Sequence, residues 1–176
     1  MKKFKKVAVG GTFDELHSGH KALINKAFEV GDKVIIGLSS DEFVLKMGKP
    51  HITAPYNERC EELDGYLKEL GLAEKAEIVP LNDPFGLTIS GKGLEALVVS
   101  QETEQTAKKI NEKRQRSSLA PLEIVIVNMV PAENSAPIST TRIRSGEIDR
   151  KGHMLKSAQK ELLFPVRVFL LLRRSV

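Results

Sequence analysis

Residues 6–39 read KVAVGGTFDELHSGHKALINKAFEVGDKVIIGLS. The run 6–11 is short and apolar and ends in Gly10 and Gly11, which predicts a buried strand that stops abruptly. A helix is expected next. Ser18 offers an N-cap, and Ala22, Leu23, Ala27 and Phe28 recur on one face. Gly31 is placed to end that helix as a C′ glycine. Residues 33–39 (KVIIGLS) form a second apolar run of strand length. Strand, helix and strand joined by very short turns imply a parallel pair with a helical crossover.

The pattern repeats outward from this unit. Residues 40–54 form a polar connection that carries Lys46, Lys49 and His51. A helix is predicted over 55–70, with Cys60, Leu63, Leu67 and Leu70 as its apolar stripe and Gly71 as its stop. Residues 76–80 (AEIVP), 96–100 (ALVVS) and 122–127 (LEIVIV) read as three further strands, and a polar helix over 103–116 separates the last two. Alternation of this kind predicts an α/β fold: a single-domain, doubly wound, Rossmann-like parallel sheet with helices on both faces. Residues 138–146 (ISTTRIRSG) read as a loop and one helical turn. The domain is expected over 1–152, and 153–176 reads as a C-terminal extension, with a candidate helix at 155–163 and an apolar run at 165–172 that suits helix or strand.

Composition narrows the class. The chain has 176 residues, 41% of them hydrophobic, enough for one core and too few for two full domains. Its one cysteine, Cys60, excludes an intrachain disulfide and a cysteine zinc cluster, and reads as a small buried hydrophobe. The basic N-terminus lacks an apolar signal core, and no run is long enough to span a bilayer, so a cytoplasmic protein is expected. A net charge of +4 suits polyanionic substrates. The basic residues are scattered and only 5% of residues are aromatic, which argues against nucleic acid as the main partner.

Ligands of open α/β sheets sit beyond the carboxyl ends of the strands, and residues 10–20 (GGTFDELHSGH) lie at such an end. Gly10 and Gly11 let backbone approach a ligand. Ser18, Gly19 and His20 open a helix, whose free amides and dipole favour an anion. His17 and His20, three apart, can face one point and donate to phosphate oxygens as charge builds on phosphorus. Zinc ligation by this pair would need further ligands, and the only other histidines are His51 and His153.

GGTFDELHSGH resembles the first signature of the nucleotidyltransferase superfamily that carries a His-x-Gly-His motif, and ISTTRIR (138–144) resembles its second. The longer pattern of VVSQET, Asn111 and Arg114, PLEIVIV and ISTTRIRSGEID is similar to the archaeal and eukaryotic type of phosphopantetheine adenylyltransferase. The resemblance covers about residues 6–152. It implies transfer of AMP from ATP to 4′-phosphopantetheine by direct displacement, with release of pyrophosphate and with Mg²⁺ carried in by ATP rather than by a protein metal site. His17 and His20 would then stabilise the phosphates, Thr12 would sit by the attacking phosphate, Phe13 would pack under the first turn and Asp14 would fix the loop. Gly10, Gly11, Gly19, Ser139, Thr140 and Thr141 would line the ATP site, with Arg142 or Arg144 nearby. Lys49, in Gly-Lys-Pro, best matches the lysine that bridges the two substrates' phosphates; Lys46 is the alternative, and Arg59 is the next cation expected at the substrate.

The bacterial enzymes' Arg-Gly-Leu-Arg element is replaced here by Val-Val-Ser-Gln-Glu-Thr, so their pantetheine pocket cannot be carried over. Nicotinamide-mononucleotide adenylyltransferase and cytidylyltransferases are the rivals within the superfamily. Against the latter, the second motif is led in by Asn-Ser-Ala-Pro (134–137) rather than Arg-Thr-x-Gly. A silent nucleotide-binding regulatory domain on the same fold is the alternative from outside enzymology. Oligomeric state is not legible in the sequence.

Overall fold

In the computed structural model, which describes residues 2–89 and 93–155, five parallel strands form one sheet in the order β3-β2-β1-β4-β5. They are β1 (Phe4–Gly11), β2 (Gly31–Ser39), β3 (Ala76–Leu81), β4 (Ala96–Ser100) and β5 (Glu123–Val127). The helices are α1 (Ser18–Val30), α2 (Asp41–Lys46), α3 (Tyr56–Glu69), α4 (Glu104–Arg116) and α5 (Thr140–Arg144). The expected segments at 155–163 and 165–172 fall almost wholly outside the described residues.

The apolar runs become strands buried on both faces, and the two-residue period sorts their side chains. Val7 and Val9 of β1, Val34, Ile36 and Leu38 of β2, and Ala96 and Val98 of β4 join Leu23, Ile24, Ala27 and Phe28 of α1 and Leu63 and Leu67 of α3 in one cluster. The alternate residues, Ala8, Ile35, Leu97 and Val99, pack on the other face with Ala107 and Ile110 of α4. β1 pairs with β2 on one side and β4 on the other. The chain therefore reverses its direction of sheet-building at β1, and a crevice opens at the carboxyl end of that strand.

Several details differ from the sequence expectation. Gly31 has φ −113° and opens β2 instead of providing a left-handed stop. It must be glycine for room: a Cβ there would lie 2.6 Å from Val7 Cγ2. Residues 41–46 of the polar connection are helical, started by Ser40, whose hydroxyl accepts from the Phe43 amide. Cys60 is half-buried and Leu70 is 45% exposed, while Arg59, a charged residue, occupies the buried stripe of α3 beside Leu63 and Leu67.

A third, small cluster of Ala132, Ile138 and Ile148, with Val130, Ile143 and Met154 against it, carries α5. Gly152 closes it with φ +91°; a Cβ would meet Ile138 at 2.7 Å and the Ala132 backbone at 2.9 Å. The packing runs past residue 152, since Met154 bridges to Ile148 and the Leu155 amide donates to Glu147.

Candidate active site

The turn from β1 to α1 is the centre of the site. Phe13 and Glu15 hold positive φ (48° and 52°), a left-handed conformation costly for side chains of this size and found where other contacts dictate the backbone. Those contacts are visible. The Phe13 ring is fully buried under Gly11, where a Cβ would meet it at 3.2 Å, and it meets the His20 ring edge-on at 5.3 Å. Gly10 is equally confined, with Leu81 3.2 Å from where its Cβ would be.

The cap of α1 is His17, not Ser18. His17 Nδ1 accepts from the Gly19 amide (3.1 Å) and the His20 amide (3.4 Å). Ser18 instead donates its own amide to the Arg150 carbonyl at 3.0 Å. The expectation of free amides at this helix start is thereby corrected: the first three are engaged within the protein. The cap has a chemical consequence. With Nδ1 accepting, a neutral His17 ring carries its proton on Nε2, as a donor on the opposite edge. Gly19 makes this possible, because a Cβ would lie 3.0 Å from His17 Cε1 and 3.1 Å from Nδ1.

His20 stacks on His17 with ring centroids 3.7 Å apart and 23° between planes. Burial first, then the Arg150 guanidinium, lowers the His17 pKa from 6.5 to about 4. Burial, then His17 and Lys49, lowers that of His20 to about 3. Both rings are thus neutral near pH 7, and the buried Nδ1 of His20 has no hydrogen-bond partner.

The two candidate lysines separate cleanly. Lys49 donates to Thr12 Oγ1 at 2.8 Å and is half-buried at the crevice; burial lowers its pKa. Lys46 pairs with Glu42 at 2.6 Å on the exposed side of α2, with its side chain 64% accessible. Arg59 is not among the crevice groups. It is 1% exposed and spends its donors on the carbonyls of Ala54 (2.7 Å), Thr12 (2.9 Å) and Ser39 (2.8 Å) and on Asp41 (2.8 Å). It is a bracket that holds the ends of β1 and β2 against α2 and the lysine loop, so its expected contact with substrate is withdrawn.

Asp14 joins the two motifs. Its fully buried carboxylate takes two bonds from Arg144 (2.8 and 2.7 Å) and one from the Ala54 amide (3.1 Å), while its carbonyl accepts from Thr140 Oγ1 (2.9 Å). Burial raises the carboxyl pKa, but the Arg144 and Ala54 hydrogen bonds outweigh it and leave the pKa below its ordinary value. Arg144 also reaches Glu15 at 3.2 Å, and Arg150 ties Glu15 to Glu62 of α3. Arg142 turns the other way, bonded to Asn134, Ala136, Pro137 and Glu147, and fixes the approach to α5. Ser139 caps α5 by accepting from the Arg142 amide, and Thr141 Oγ1 lies 3.3 Å from His51 Nδ1.

The structure therefore gathers Gly10, Gly11, Thr12, Phe13, His17, Gly19, His20, Lys49, Thr140, Thr141 and Arg144 around one crevice, and sets Arg59 and Arg142 behind it as supports. Glu15 and Arg150 were not singled out by the sequence, and His51 drew notice only as a residue of the polar connection and as a further histidine. Only the position of His51, two residues from Lys49, could have hinted at a role. Among the described residues no group of three or more His, Cys, Asp or Glu side chains is placed to hold a metal ion, and no helix is long and apolar enough to cross a membrane.

Comparison with known proteins shows the family. Residues 8–146 match the cytidylyltransferase-like family model. The phosphopantetheine adenylyltransferase of Methanosarcina acetivorans is 50% identical over 157 residues, 88% of this chain and 98% of that one. Its counterpart from Methanothermobacter thermautotrophicus is 43% identical over 155 residues, 88% of this chain and 92% of that one. Among solved structures, a protein of unknown function from Archaeoglobus fulgidus superposes with a TM-score of 0.61 at 36% identity, covering 69% of this chain and 97% of that one.

Proposed function

Because the chain belongs to the cytidylyltransferase-like family of nucleotidyltransferases, we propose that it transfers AMP from ATP to 4′-phosphopantetheine, giving dephospho-coenzyme A and pyrophosphate. The adenylyltransferases of archaea that it matches along nearly their whole length support this substrate pair. The observation that carries the mechanism is a single juxtaposition. Lys49 sits on the Thr12 hydroxyl beside the stacked histidines, and Asp14 clamps the second motif to the same turn.

The acceptor's phosphate monoester is ionised at neutral pH and needs no strong base. One of its oxygens attacks the α-phosphorus in line; that P–O bond forms as the bond to the bridging α–β oxygen breaks, and pyrophosphate leaves with the electron pair. The protein has to hold two anions together and stabilise charge on the equatorial and leaving oxygens. Lys49 and Thr12 serve the first need, between the two phosphates. His17, with Nε2–H outward, and His20 serve the second as neutral donors held rigid by the cap and the stack. Ser139, Thr140 and Thr141 line the triphosphate from the other side, on a helix that Arg144 fixes to Asp14. Among the described residues no His, Cys, Asp or Glu cluster would hold Mg²⁺, so the ion would come with the nucleotide and would supply charge neutralisation at the triphosphate. The enzyme is read as cytoplasmic, working on small soluble substrates.

The test is incubation of the chain with ATP and Mg²⁺ plus 4′-phosphopantetheine, nicotinamide mononucleotide or glycerol phosphate in turn, and with CTP in place of ATP. Pyrophosphate and the product mass are the readouts. Dephospho-coenzyme A from the first mixture alone is expected. Turnover of another acceptor with phosphopantetheine inert would overturn the assignment, and silence in every mixture would favour a regulatory nucleotide-binding domain.

A further inference from the structure

His51 stands where the lysine loop, the first motif and α5 meet, and the chemistry above gives it no part. Its side chain is 11% exposed. Nδ1 lies 3.3 Å from Thr141 Oγ1; Nε2 is buried, has no hydrogen-bond partner, and lies 3.9 Å from Asp14 Oδ2. The charged groups around the ring are Asp14 from the β1–α1 turn, Lys49 from its own loop and Arg144 from α5. Asp14 is anionic, so the neutral ring favours the tautomer that points Nε2–H at the carboxylate; the other would set a lone pair against it. Nδ1 is then an acceptor, and the Thr141 hydroxyl donates to it. In this state the Thr141 proton is committed to the ring and unavailable to a phosphate.

Burial, and then Lys49, hold His51 neutral in the free protein. A triphosphate beside Lys49 and α5 brings negative charge to the one place that reverses this balance. We propose that His51 is a positioning residue for the transfer: when ATP binds, its ring takes one proton from solvent at Nδ1, the hydrogen bond to Thr141 reverses, and the Thr141 hydroxyl turns its proton to the triphosphate. The inference rests on the reading that Lys49 and α5 face the ATP phosphates. Asp14, beside Nε2–H, holds the imidazolium once formed.

The experiment titrates Mg·ATP, without acceptor, into the full chain at pH 7.5 in two buffers of different ionisation enthalpy. Uptake of roughly half a proton or more per ATP is expected, with tighter binding as pH falls from about 8.5 to 7, because a site whose pKa rises on binding favours the ligand at lower pH. His51→Gln keeps an amide donor and acceptor but cannot ionise. It should abolish the uptake and the pH dependence and raise the ATP Kd and KM about 5- to 20-fold, with kcat at saturation within about threefold. Should that variant fold poorly, ¹⁵N NMR of the wild-type His51 ring reads the same event as protonation of Nδ1 on adding Mg·ATP. Normal ATP binding and transfer with no uptake overturns this inference and leaves the activity standing. Uptake that persists in His51→Gln overturns it too, by moving the proton to His17 or His20. Failure of ATP to bind at all would remove both.

Discussion

Replacing Gly19 by alanine should separate stability from catalysis. The new Cβ would stand 3.0 Å from His17 Cε1 and 3.1 Å from Nδ1. Ordinary contact lies near ~3.6 Å, so the ring must retreat by roughly half an ångström. That retreat lengthens the cap bonds, now 3.1 and 3.4 Å, past useful length. Losing the cap costs about 0.5–2 kcal/mol, while alanine for glycine in a helix returns up to about 1 kcal/mol. With the full return the net change lies between about −0.5 and about +1 kcal/mol, a Tm shift of at most about 2–4 °C. Catalysis has no such compensation. His17 Nε2 is carried on the displaced ring, His20 stacks on it at 3.7 Å, and misplacement of this order costs about 10- to 100-fold in rate. Pyrophosphate release at saturating substrates, with thermal melting of the same samples, provides the check. A variant with unchanged kcat would show that the ring does not need its cap, and the role given to the Gly19 contact would fall.

Lys49→Ala should lower kcat/KM about 100-fold, whereas Lys46→Ala, whose lysine forms an exposed pair with Glu42, should stay within about twofold; steady-state rates with phosphopantetheine decide it. Arg59→Met should cost about 2–5 kcal/mol by orphaning three carbonyls and the Asp41 partner, and a Tm change under about 2 °C would refute the bracket. Both site histidines have folded pKa values, about 4 and about 3, below the ordinary 6.5, so the unfolded chain binds protons first as pH drops. Their stabilisation is complete above pH ~6.5 and fades toward the folded values, by roughly 2 kcal/mol per histidine at pH ~5. Urea midpoints at pH 7.5 and 5 test this, and His20→Gln should remove about half of the difference.

The sheet was legible because its signal is local. Runs such as VIIGL and ALVVS are strand-length and apolar on both faces, and α1 shows its stripe within three turns. The second motif was readable as a loop and one turn, and α5 is five residues long. What escaped depended on tertiary contacts. A six-residue helix such as α2 has too few turns to show a period, and its cap Ser40 looks like any loop serine. Arg59 reads as a further cation for the substrate until three carbonyls from separate segments are seen to converge on it. His17 reads as a phosphate ligand, but nothing in HSGH says that its ring folds back on its own helix; the glycine two residues on is the trace of that, and only the Cβ distance gives it meaning. His51 acquires a role only when Asp14 and Thr141, 37 positions before it and 90 after, close on either side.

The pairing of charges supports the bridging role proposed for Lys49. Arg59 is bonded to Asp41, Arg142 to Glu147, Arg144 to Asp14 and Glu15, and Arg150 to Glu15 and Glu62. An incoming phosphate could claim any of these only by pulling a guanidinium from a carboxylate, and where that carboxylate is buried, as at Asp14, the stranded charge would cost several kcal/mol. Lys49 is different, because its partner at the crevice is the neutral hydroxyl of Thr12. A phosphate oxygen can replace or share that bond with no ion pair broken. The same logic supports the role proposed for the neutral histidines, since a donor without charge adds little to ground-state binding and would act as negative charge grows on the reacting phosphorus. In the proposed mechanism the paired arginines therefore set the shape of the site, and the lysine, the two rings and the hydroxyls of the two motifs meet the substrates.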